Sequence, residues 1–399
     1  MSGIEPFEIQ VSQKVLEDLR DRLARTRWPD EVPGTGWEYG ADLSFMKDLI
    51  GYWRDGFDWR AQEAALNRFH HFRADLDGFG VHFIHERGRG PDPRPLILTH
   101  GWPGSFLEFL DLIPLLTDPG AHGGDPEVSF DVMVPSLPGY GFSDRPAAPG
   151  MSVFRIAGLW LRLMEALGYE RFGVQGGDWG ASVGTAMALA APDRVDGLHL
   201  NYIPGSLRPW LGEGSRELSE AERRFLADAD RWYEIEGAYA HVQRYEPQTI
   251  AYALNDSPAG LAAWIVEKFR DWGDCGGDVL ECFGRDRLLA NVTLYWVTET
   301  AGSAARLYFE TRKAPLSLGP DDRVRVPCAV ARFPLESPFP PREWVERCYD
   351  LVRWTEMPRG GHFAVMEEPE LLAADVRDFF GSVWRRSEKR SARASRFLL

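Results

Sequence analysis

The segment with the clearest chemical character is 176–182, whose letters are GGDWGAS. It follows a predicted buried strand, 172–175, and precedes an alanine-rich stretch, 181–190. Small residues on both sides of the aspartate allow a sharp turn from strand to helix, because the two backbones approach too closely there for larger side chains. Such a turn exposes the residue at its apex, here Asp178, whose carboxylate could act as a nucleophile. Aspartate also caps helices well, so a purely structural cap is the alternative interpretation.

A second segment, 100–105 with the letters HGWPGS, follows the apolar run 96–98. A loop at the end of a strand can donate a backbone N–H to an oxyanion, and the residue after a nucleophile can donate another. These donors would be the backbone N–H groups of Trp102 and Trp179, which together would form an oxyanion hole. A simple glycine and proline turn is the alternative interpretation. The Trp102–Pro103 bond is a candidate cis peptide.

His362 lies in a glycine-rich loop, 359–363 (RGGHF), directly after the predicted strand 351–357. Histidine exchanges a proton near neutral pH and therefore suits general base catalysis. The order of an elbow residue, an acid and a histidine along the chain is that of α/β hydrolases. Glu336 follows the predicted strand 326–333, where a carboxylate that orients the histidine belongs. Each residue alone could be an ordinary loop residue, but together they predict a catalytic triad.

The elements that must position these residues have the pattern of an α/β fold. Strand–helix–strand alternation favours a mostly parallel sheet flanked by helices. The strands are predicted near 72–76, 81–87, 95–99, 130–135, 172–175, 326–333 and 351–357, with a helix over 153–167. Aromatic-rich helical segments between 204 and 320 indicate a cap domain over the strand ends. Three amphipathic segments before residue 70 predict a helical arm wrapped on the main domain.

We therefore predict five parts of the chain. Residues 1–90 form the N-terminal arm and the first strands, 91–204 the first part of the core, 205–320 the helical cap and 321–383 the second part of the core. Residues 384–399 contain six Lys or Arg residues and are expected to form a solvated, frayed basic tail.

Composition restricts the partners that we expect. The formal net charge is −15, from 45 Lys and Arg against 60 Asp and Glu, which argues against binding of nucleic acid or of anionic membranes. The four cysteines form no C-x-x-C pair, which argues against a zinc ribbon or a disulfide framework and favours a reducing compartment. The sequence shows no legible signal peptide and no apolar run approaching ~18 residues, so we expect a cytoplasmic protein.

The motifs together resemble those of the epoxide hydrolases of the α/β-hydrolase superfamily, in the branch that includes the microsomal enzymes and their soluble bacterial relatives. The segments that show the resemblance are 6–9, 27–29, 100–105, 135–143, 177–180, 254–261 and 359–363, so it extends over almost the whole chain. It implies an α/β-hydrolase fold with a mostly parallel central sheet, a helical cap and an N-terminal helical arm. The chain differs from the microsomal members in lacking an apolar N-terminal helix. It also resembles bacterial members of natural-product pathways, such as enediyne biosynthesis.

The resemblance also implies roles for individual residues. Asp178 would be the nucleophile, His362 the general base and Glu336 its partner. Tyr239 and Tyr308 would be the cap tyrosines that bind the substrate and donate to the epoxide oxygen. The neighbouring tyrosines that compete for this role are Tyr233, Tyr245, Tyr252 and Tyr295. The expected reaction converts an epoxide and water to a vicinal diol and needs neither a cofactor nor a metal.

Two other functions are compatible with the same residues. A haloalkane or fluoroacetate dehalogenase would use the same aspartate elbow and hydrolyse the same kind of ester. A catalytically silent hydrolase-fold protein could bind a small molecule without converting it. A serine esterase is disfavoured because Asp178 occupies the apex of the elbow. The expected partners are a small epoxide and water, the aromatic-rich cap favours an apolar or aryl epoxide, and assembly into a homo-oligomer is left open.

Overall fold

The computed structural model describes residues 3–205 and 207–396, with side chains up to residue 385. Within these ranges nine strands form one sheet, in the order β1-β2-β3-β5-β4-β6-β7-β8-β9. The strands are β1 (Ile4–Pro6), β2 (His71–Asp75), β3 (Gly80–Glu86), β4 (Arg94–Thr99), β5 (Phe130–Pro135), β6 (Phe172–Gly176), β7 (Val195–Leu200), β8 (Val324–Arg332) and β9 (Tyr349–Glu356). The pairs that join β1, β2, β3 and β5 are antiparallel, and the pairs from β5 and β4 through to β9 are parallel. The predicted mostly parallel sheet is confirmed.

The helices lie on both faces of the sheet, above its carboxyl edge and in the N-terminal arm. They are α1 (Gln13–Ala24), α2 (Leu43–Asp55), α3 (Trp59–Leu66), α4 (Leu112–Thr117), α5 (Val153–Ala166), α6 (Asp178–Ala190), α7 (Glu220–Ile235), α8 (Ala238–Tyr245), α9 (Pro247–Asp256), α10 (Pro258–Trp272), α11 (Val279–Phe283), α12 (Arg285–Val297), α13 (Ala301–Lys313), α14 (Arg342–Cys348), α15 (Ala364–Glu367) and α16 (Pro369–Arg396). Helices α7 to α13 are inserted between β7 and β8 and form the predicted cap.

The central strands are buried on both faces. In β4, Ile97 belongs to the core shared with α5 and α6, whereas Leu96 and Leu98 belong to the core shared with α4 and α16. Successive side chains of a strand point to opposite faces of the sheet, so both faces of such a strand favour apolar residues. This burial explains why the strands could be predicted as short uninterrupted apolar runs.

Strand β7 has no counterpart in the sequence prediction. Its letters, VDGLHL, include polar residues and a glycine instead of an apolar run. His199 is completely buried there and pairs with Asp375 of α16, with 3.0 Å between Nε2 and Oδ2. This partner makes a histidine tolerable in a central strand, because buried polar groups need hydrogen bonds.

The N-terminal arm, predicted to wrap on the main domain, contacts the cap as well as the sheet. The indole Nε1 of Trp53 in α2 donates to Oγ1 of Thr293 in α12 at 2.9 Å. The guanidinium of Arg22 in α1 pairs with Asp256 of α9 at 2.8 Å. Strands β1 to β3 fix the arm at one edge of the sheet, and its helices extend from there to the cap.

The last helix, α16, continues into the region predicted to be a frayed basic tail. Trp384 is 8% exposed and lies 5.3 Å from the ring of Phe130 and 5.6 Å from that of Phe380. The spacing of four residues between Phe380 and Trp384 extends the apolar face of the helix, which the count of basic residues did not indicate. The backbone is helical to Arg396, whereas residues 397–399 and the basic side chains beyond 385 lie outside the described residues. Among the helices that are described, none is long and apolar enough to cross a membrane.

Candidate active site

The predicted elbow lies between β6 and α6. Asp178 is the first residue of α6 and has a φ angle of 45°, in the left-handed region that is strained for a residue with a Cβ. Gly180 allows this turn, because a Cβ at that position would collide with the carbonyl oxygen of Thr99. The elbow therefore holds the Asp178 carboxylate at the carboxyl end of the central strands.

The Asp178 carboxylate lies in the predicted oxyanion hole. Its Oδ1 accepts hydrogen bonds from the backbone N–H groups of Trp102 at 2.9 Å and Trp179 at 2.7 Å. Trp179 is the second residue of α6, but Trp102 lies in the loop after β4. A helix cap binds only amides of the turn that follows it, so the Trp102 donor distinguishes this site from a simple cap. This geometry stabilises a negative charge that develops on Oδ1.

Cap helix α12 holds the loop that contains Trp102. The side chain of Asn291 donates to the carbonyl oxygen of Pro103 at 2.9 Å and accepts from the hydroxyl of Ser105 at 2.8 Å. The hydroxyl of Tyr295 donates to the carbonyl oxygen of Gly104 at 2.7 Å. The Trp102–Pro103 bond is cis. Tyr295, a competitor for the epoxide-binding role, therefore uses its hydroxyl to hold this loop.

His362 lies between the other two members of the predicted triad. Its Nδ1 is 2.8 Å from Oε2 of Glu336, and its Nε2 is 3.6 Å from Oδ2 of Asp178. The loop that contains it is fixed by the backbone N–H of His362, which donates to the carbonyl oxygen of Trp272 at 2.9 Å. The three side chains that the sequence places far apart are thus adjacent.

Charge–charge interactions control the protonation of this group. Burial raises the pKa of Asp178, and His362 and the amides of Trp102 and Trp179 oppose that rise. For His362, burial disfavours the charged imidazolium, but the negative charges of Glu336 and Asp178 outweigh burial and raise the pKa to about 9. The resting site therefore favours an ion pair between a carboxylate and an imidazolium.

The two predicted cap tyrosines form an aromatic enclosure above Asp178. Tyr239 of α8 stacks on Trp102 with 5.0 Å between ring centres, and Tyr308 of α13 meets the Trp179 ring edge-on at 4.7 Å. Burial raises the pKa of both phenols, so both stay protonated near neutral pH.

The remaining competitors occupy other positions. Tyr245 and Tyr252 are 48% and 75% exposed. Tyr233 of α7 lines the same cavities as Tyr239. For the role of donor to the epoxide oxygen, these positions favour Tyr239 and Tyr308 over Tyr245 and Tyr252. Tyr233 lies in the wall of the same cavities.

Two arms of a cavity meet at Asp178. The smaller arm has a volume of about 90 Å³ and is lined by apolar residues that include Leu207, Phe225 and Trp344. The larger arm has a volume of about 550 Å³ and passes Tyr308. Asp178 and Tyr239 line both arms, so a small organic molecule in either arm can reach the carboxylate.

Comparison with known proteins identifies the family. Residues 4–109 match the family model for the epoxide hydrolase N terminus, and residues 94–246 match that for the alpha/beta hydrolase fold. Epoxide hydrolase 1 of Oryctolagus cuniculus is 39% identical over 408 residues, covering 96% of this chain and 90% of the relative. The chain belongs to the epoxide hydrolase family. A protein of Stigmatella aurantiaca (strain DW4/3-1) with the provisional name epoxide hydrolase is 46% identical over 382 residues, covering 95% of this chain and 85% of that protein.

Solved structures of this family have the same architecture. The juvenile hormone epoxide hydrolase of the silkworm Bombyx mori matches with a TM-score of 0.82 at 32% identity, covering 96% of this chain and 95% of that chain. The Aspergillus niger epoxide hydrolase matches with a TM-score of 0.83 at 30% identity, covering 96% and 97%. The α/β-hydrolase fold and the epoxide hydrolase resemblance drawn from the motifs are confirmed.

Two residues of this epoxide hydrolase site were missed in the sequence analysis. Glu108 is buried beside Asp178 and His362 in a small separate cavity, and burial raises its pKa to about 8. Tyr202 follows β7, lines both arms of the main cavity and meets the His362 ring edge-on at 6.0 Å. A signal existed for Glu108, which lies only three residues after the HGWPGS segment. Tyr202 was hidden because β7 itself was not predicted.

Proposed function

We propose that this epoxide hydrolase converts an apolar or aryl epoxide to a vicinal diol through a covalent ester on Asp178. The observation that supports the proposal most is the environment of the Asp178 carboxylate. One of its oxygens lies in the oxyanion hole, the other faces His362, and both lie below two protonated phenols. The apolar smaller arm and the aromatic enclosure favour the substrate class.

In the first step, Asp178 attacks a carbon of the epoxide ring. A new bond forms between its free oxygen and that carbon, and the ring C–O bond breaks with its electron pair moving to the epoxide oxygen. An alkoxide is unstable near neutral pH, so Tyr239 and Tyr308 donate a proton or strong hydrogen bonds to it as the bond breaks. The product of this step is a hydroxyalkyl ester of Asp178.

In the second step, water attacks the carbonyl carbon of the ester. His362 accepts a proton from the water, and Glu336 orients the imidazole and stabilises its charged form. The negative charge on the carbonyl oxygen is stabilised by the amides of Trp102 and Trp179, each worth about 3–4 kcal/mol in comparable sites. The ester bond then breaks with its electron pair moving to the diol oxygen, which takes the proton from His362. The neutral diol leaves, and the oxygen from water stays on Asp178.

The first step prepares the base for the second. The negative charge of Asp178 is one of the causes that raise the pKa of His362 to about 9. Alkylation removes that charge, so the pKa of the imidazole falls when a neutral base is needed.

We further propose that Glu108 helps to hold the attacking water, because it lines a small cavity with Asp178 and His362.

The His362→Gln variant tests the proposal. It should be alkylated but should not hydrolyse the ester, so intact-protein mass spectrometry after incubation with styrene oxide should find an adduct, and peptide analysis should place it on Asp178. The matched control is Asp178→Asn, which should form no adduct. Rapid steady turnover of styrene oxide by His362→Gln with no detectable adduct would contradict the covalent mechanism.

One observation keeps dehalogenation as a second candidate. The indole Nε1 of Trp179 is buried and has no hydrogen-bond partner within the described residues, and such a group can bind a halide. The family assignment and the two phenols favour an epoxide. Halide release from alkyl halides together with no activity on styrene oxide would reverse this choice, and ligand binding without any diol across an epoxide panel would indicate the silent binding protein. A cytoplasmic location and a role in a natural-product pathway stay predictions.

A further inference from the structure

We infer that the substrate of the proposed reaction has an anionic group, a carboxylate in the simplest case, which binds at arginines in the larger arm of the cavity. The inference rests on the proposed function and restricts its substrate to an epoxide that has an apolar part and an anionic part. The larger arm, of about 550 Å³, is lined by Asp178, Tyr239, Arg244, Thr311 and Arg312, and Arg208 lines both arms.

In the ranges that the structure describes, Arg208, Arg244 and Arg312 form no ion pair with a carboxylate. Arg208 and Arg312 are exposed, and Arg244 is half-buried. The guanidinium of Arg244 lies 5.7 Å from the ring centre of Tyr233, and that of Arg312 lies 4.6 Å from the ring centre of Tyr245. The Nε of Arg312 donates to the carbonyl oxygen of Arg244 at 3.2 Å. Stacking fixes the position of these two cations while most of their N–H donors stay available. Because the whole chain has a net charge of −15, uncompensated cations in a cavity mark a local reversal of charge that attracts anions.

Thr311 provides an independent indication of a polar ligand. It is 7% exposed and lines this arm, and its Oγ1 lacks a hydrogen-bond partner among the described residues. A buried hydroxyl without a partner costs free energy. A carboxylate bound by Arg312 would offer the missing acceptor, because Thr311 and Arg312 line the same arm.

The two arms suggest where the epoxide lies within the substrate. The smaller arm is lined by apolar residues that include Phe225 and Trp344, and Asp178 lies where the arms meet. An epoxide held at Asp178 would therefore have an apolar substituent in one direction and the anionic group in the other. The arginines would also offset the repulsion between an anionic substrate and the carboxylate of Asp178. The class that fits is the epoxide of an unsaturated carboxylic acid, with the ring inside the chain.

A matched pair of substrates tests the inference with the unmodified enzyme. The probes are a medium-chain alkanoic acid with an internal epoxide and its primary amide, which has almost the same shape but no charge. We expect kcat/KM for the acid to exceed that for the amide by about tenfold or more, as charge-assisted hydrogen bonds predict, and to fall as ionic strength rises. Equal values for acid and amide, or a preference for the amide, with styrene oxide hydrolysed normally, would overturn the anion site alone. Failure to hydrolyse any epoxide, styrene oxide included, would contradict the proposed function itself.

Variants of the arginines test whether they cause the preference for the acid over the amide. In Arg312→Gln, and separately in Arg244→Gln, the ratio of kcat/KM for acid to that for amide should fall about fivefold or more, and Arg312→Lys should restore part of it. The control is Arg285→Gln, because Arg285 also stacks on a tyrosine, with 4.7 Å to the ring centre of Tyr52, but does not line the cavity. The ratio is independent of the fraction of folded enzyme. A ratio that stays unchanged in both arginine variants would overturn the inference.

Discussion

At the scale of single residues, the site must keep a carboxylate ionised where little water reaches it. Only 20% of the Asp178 side chain is exposed, and burial raises its pKa. Two amide donors and the imidazolium of His362 oppose this effect, so the carboxylate stays available for attack. In the proposed mechanism the same donors then stabilise the oxyanion of the second step, so one small group of residues would serve both steps.

The Glu108→Gln variant tests the electrostatic coupling around His362. When ionised, Glu108 is one of the causes that raise the pKa of His362. The negative charge of Asp178 helps to keep Glu108 protonated in the resting enzyme, so alkylation of Asp178 favours the ionised form of Glu108. Removing the charge of Glu108 should lower the pKa of His362, so neutral imidazole should be present at lower pH. The rate of ester hydrolysis, measured by stopped-flow fluorescence against pH, should therefore reach its plateau at a lower pH than in the unmodified enzyme.

If Glu108 also holds the attacking water, the plateau rate of ester hydrolysis in Glu108→Gln should be lower by about tenfold or more. The rate of alkylation should change less. A purely structural role would not shift the pH profile. An unchanged profile and plateau would contradict both assigned effects.

At the scale of elements, the residues that could be predicted from the sequence follow the carboxyl ends of strands. Asp178, Glu336 and His362 each come directly after an apolar run and a turn signal, so local pattern and chain order were sufficient to find them. Parallel strands bring their carboxyl ends to one edge of a sheet, which is why residues far apart in the chain meet there.

The supporting contacts could not be predicted in this way. Asn291 and Tyr295 hold the loop of Trp102 across separations of 186 to 191 residues, and in the sequence they are only polar positions in a buried helix. Strand β7 was missed because His199 is buried as one half of a pair whose other half, Asp375, lies 176 residues away. Local patterns contain no information about such partners.

The Asp375→Asn variant should destabilise the fold by loosening α16 from the sheet. Burial alone would raise the pKa of Asp375, but hydrogen bonds with His199, Thr355 and Arg353 lower it to about 2. The carboxylate therefore stabilises the fold fully above its ordinary pKa of 3.8, and this contribution is lost as the pH falls toward about 2. We expect the variant to lose about 2–4 kcal/mol in urea unfolding at neutral pH.

The matched control is Asp378→Asn, since Asp378 also pairs with Arg353 but its side chain is 68% exposed. It should change the free energy of unfolding by less than about 1 kcal/mol. Equal effects of the two variants, or a loss for Asp375→Asn that grows as the pH is lowered, would contradict this account of α16.

At the scale of the whole molecule, the proposed mechanism needs residues of both the cap and the core. The core provides Asp178 and His362, the cap provides Tyr239 and Tyr308, and cap helix α12 holds the core loop that donates the amide of Trp102. The N-terminal arm joins them further, because Trp53 donates to Thr293 of α12. The cap therefore does more than enclose the substrate, since it also fixes part of the oxyanion hole.

The Asn291→Ala variant tests this dependence. It leaves the carbonyl oxygen of Pro103 and the hydroxyl of Ser105 without their cap partner, so the amide of Trp102 should shift and ester hydrolysis should slow by about tenfold or more. The control on the surface of the cap is Asn255→Ala. The single-turnover rate of ester hydrolysis is compared between the two variants, and the urea midpoint of unfolding is measured for each. A hydrolysis rate equal to that of the control would contradict a cap-supported oxyanion hole.

The central claim is that Asp178 forms an ester and that water then attacks its carbonyl carbon. A single turnover in water labelled with heavy oxygen, with enzyme in excess over epoxide, tests this most directly. The account predicts that the first diol released contains no label and that mass spectrometry finds the heavy oxygen in the carboxylate of Asp178. Label in the diol from the first turnover, with Asp178 unlabelled, would show direct attack of water on the epoxide and would contradict the account.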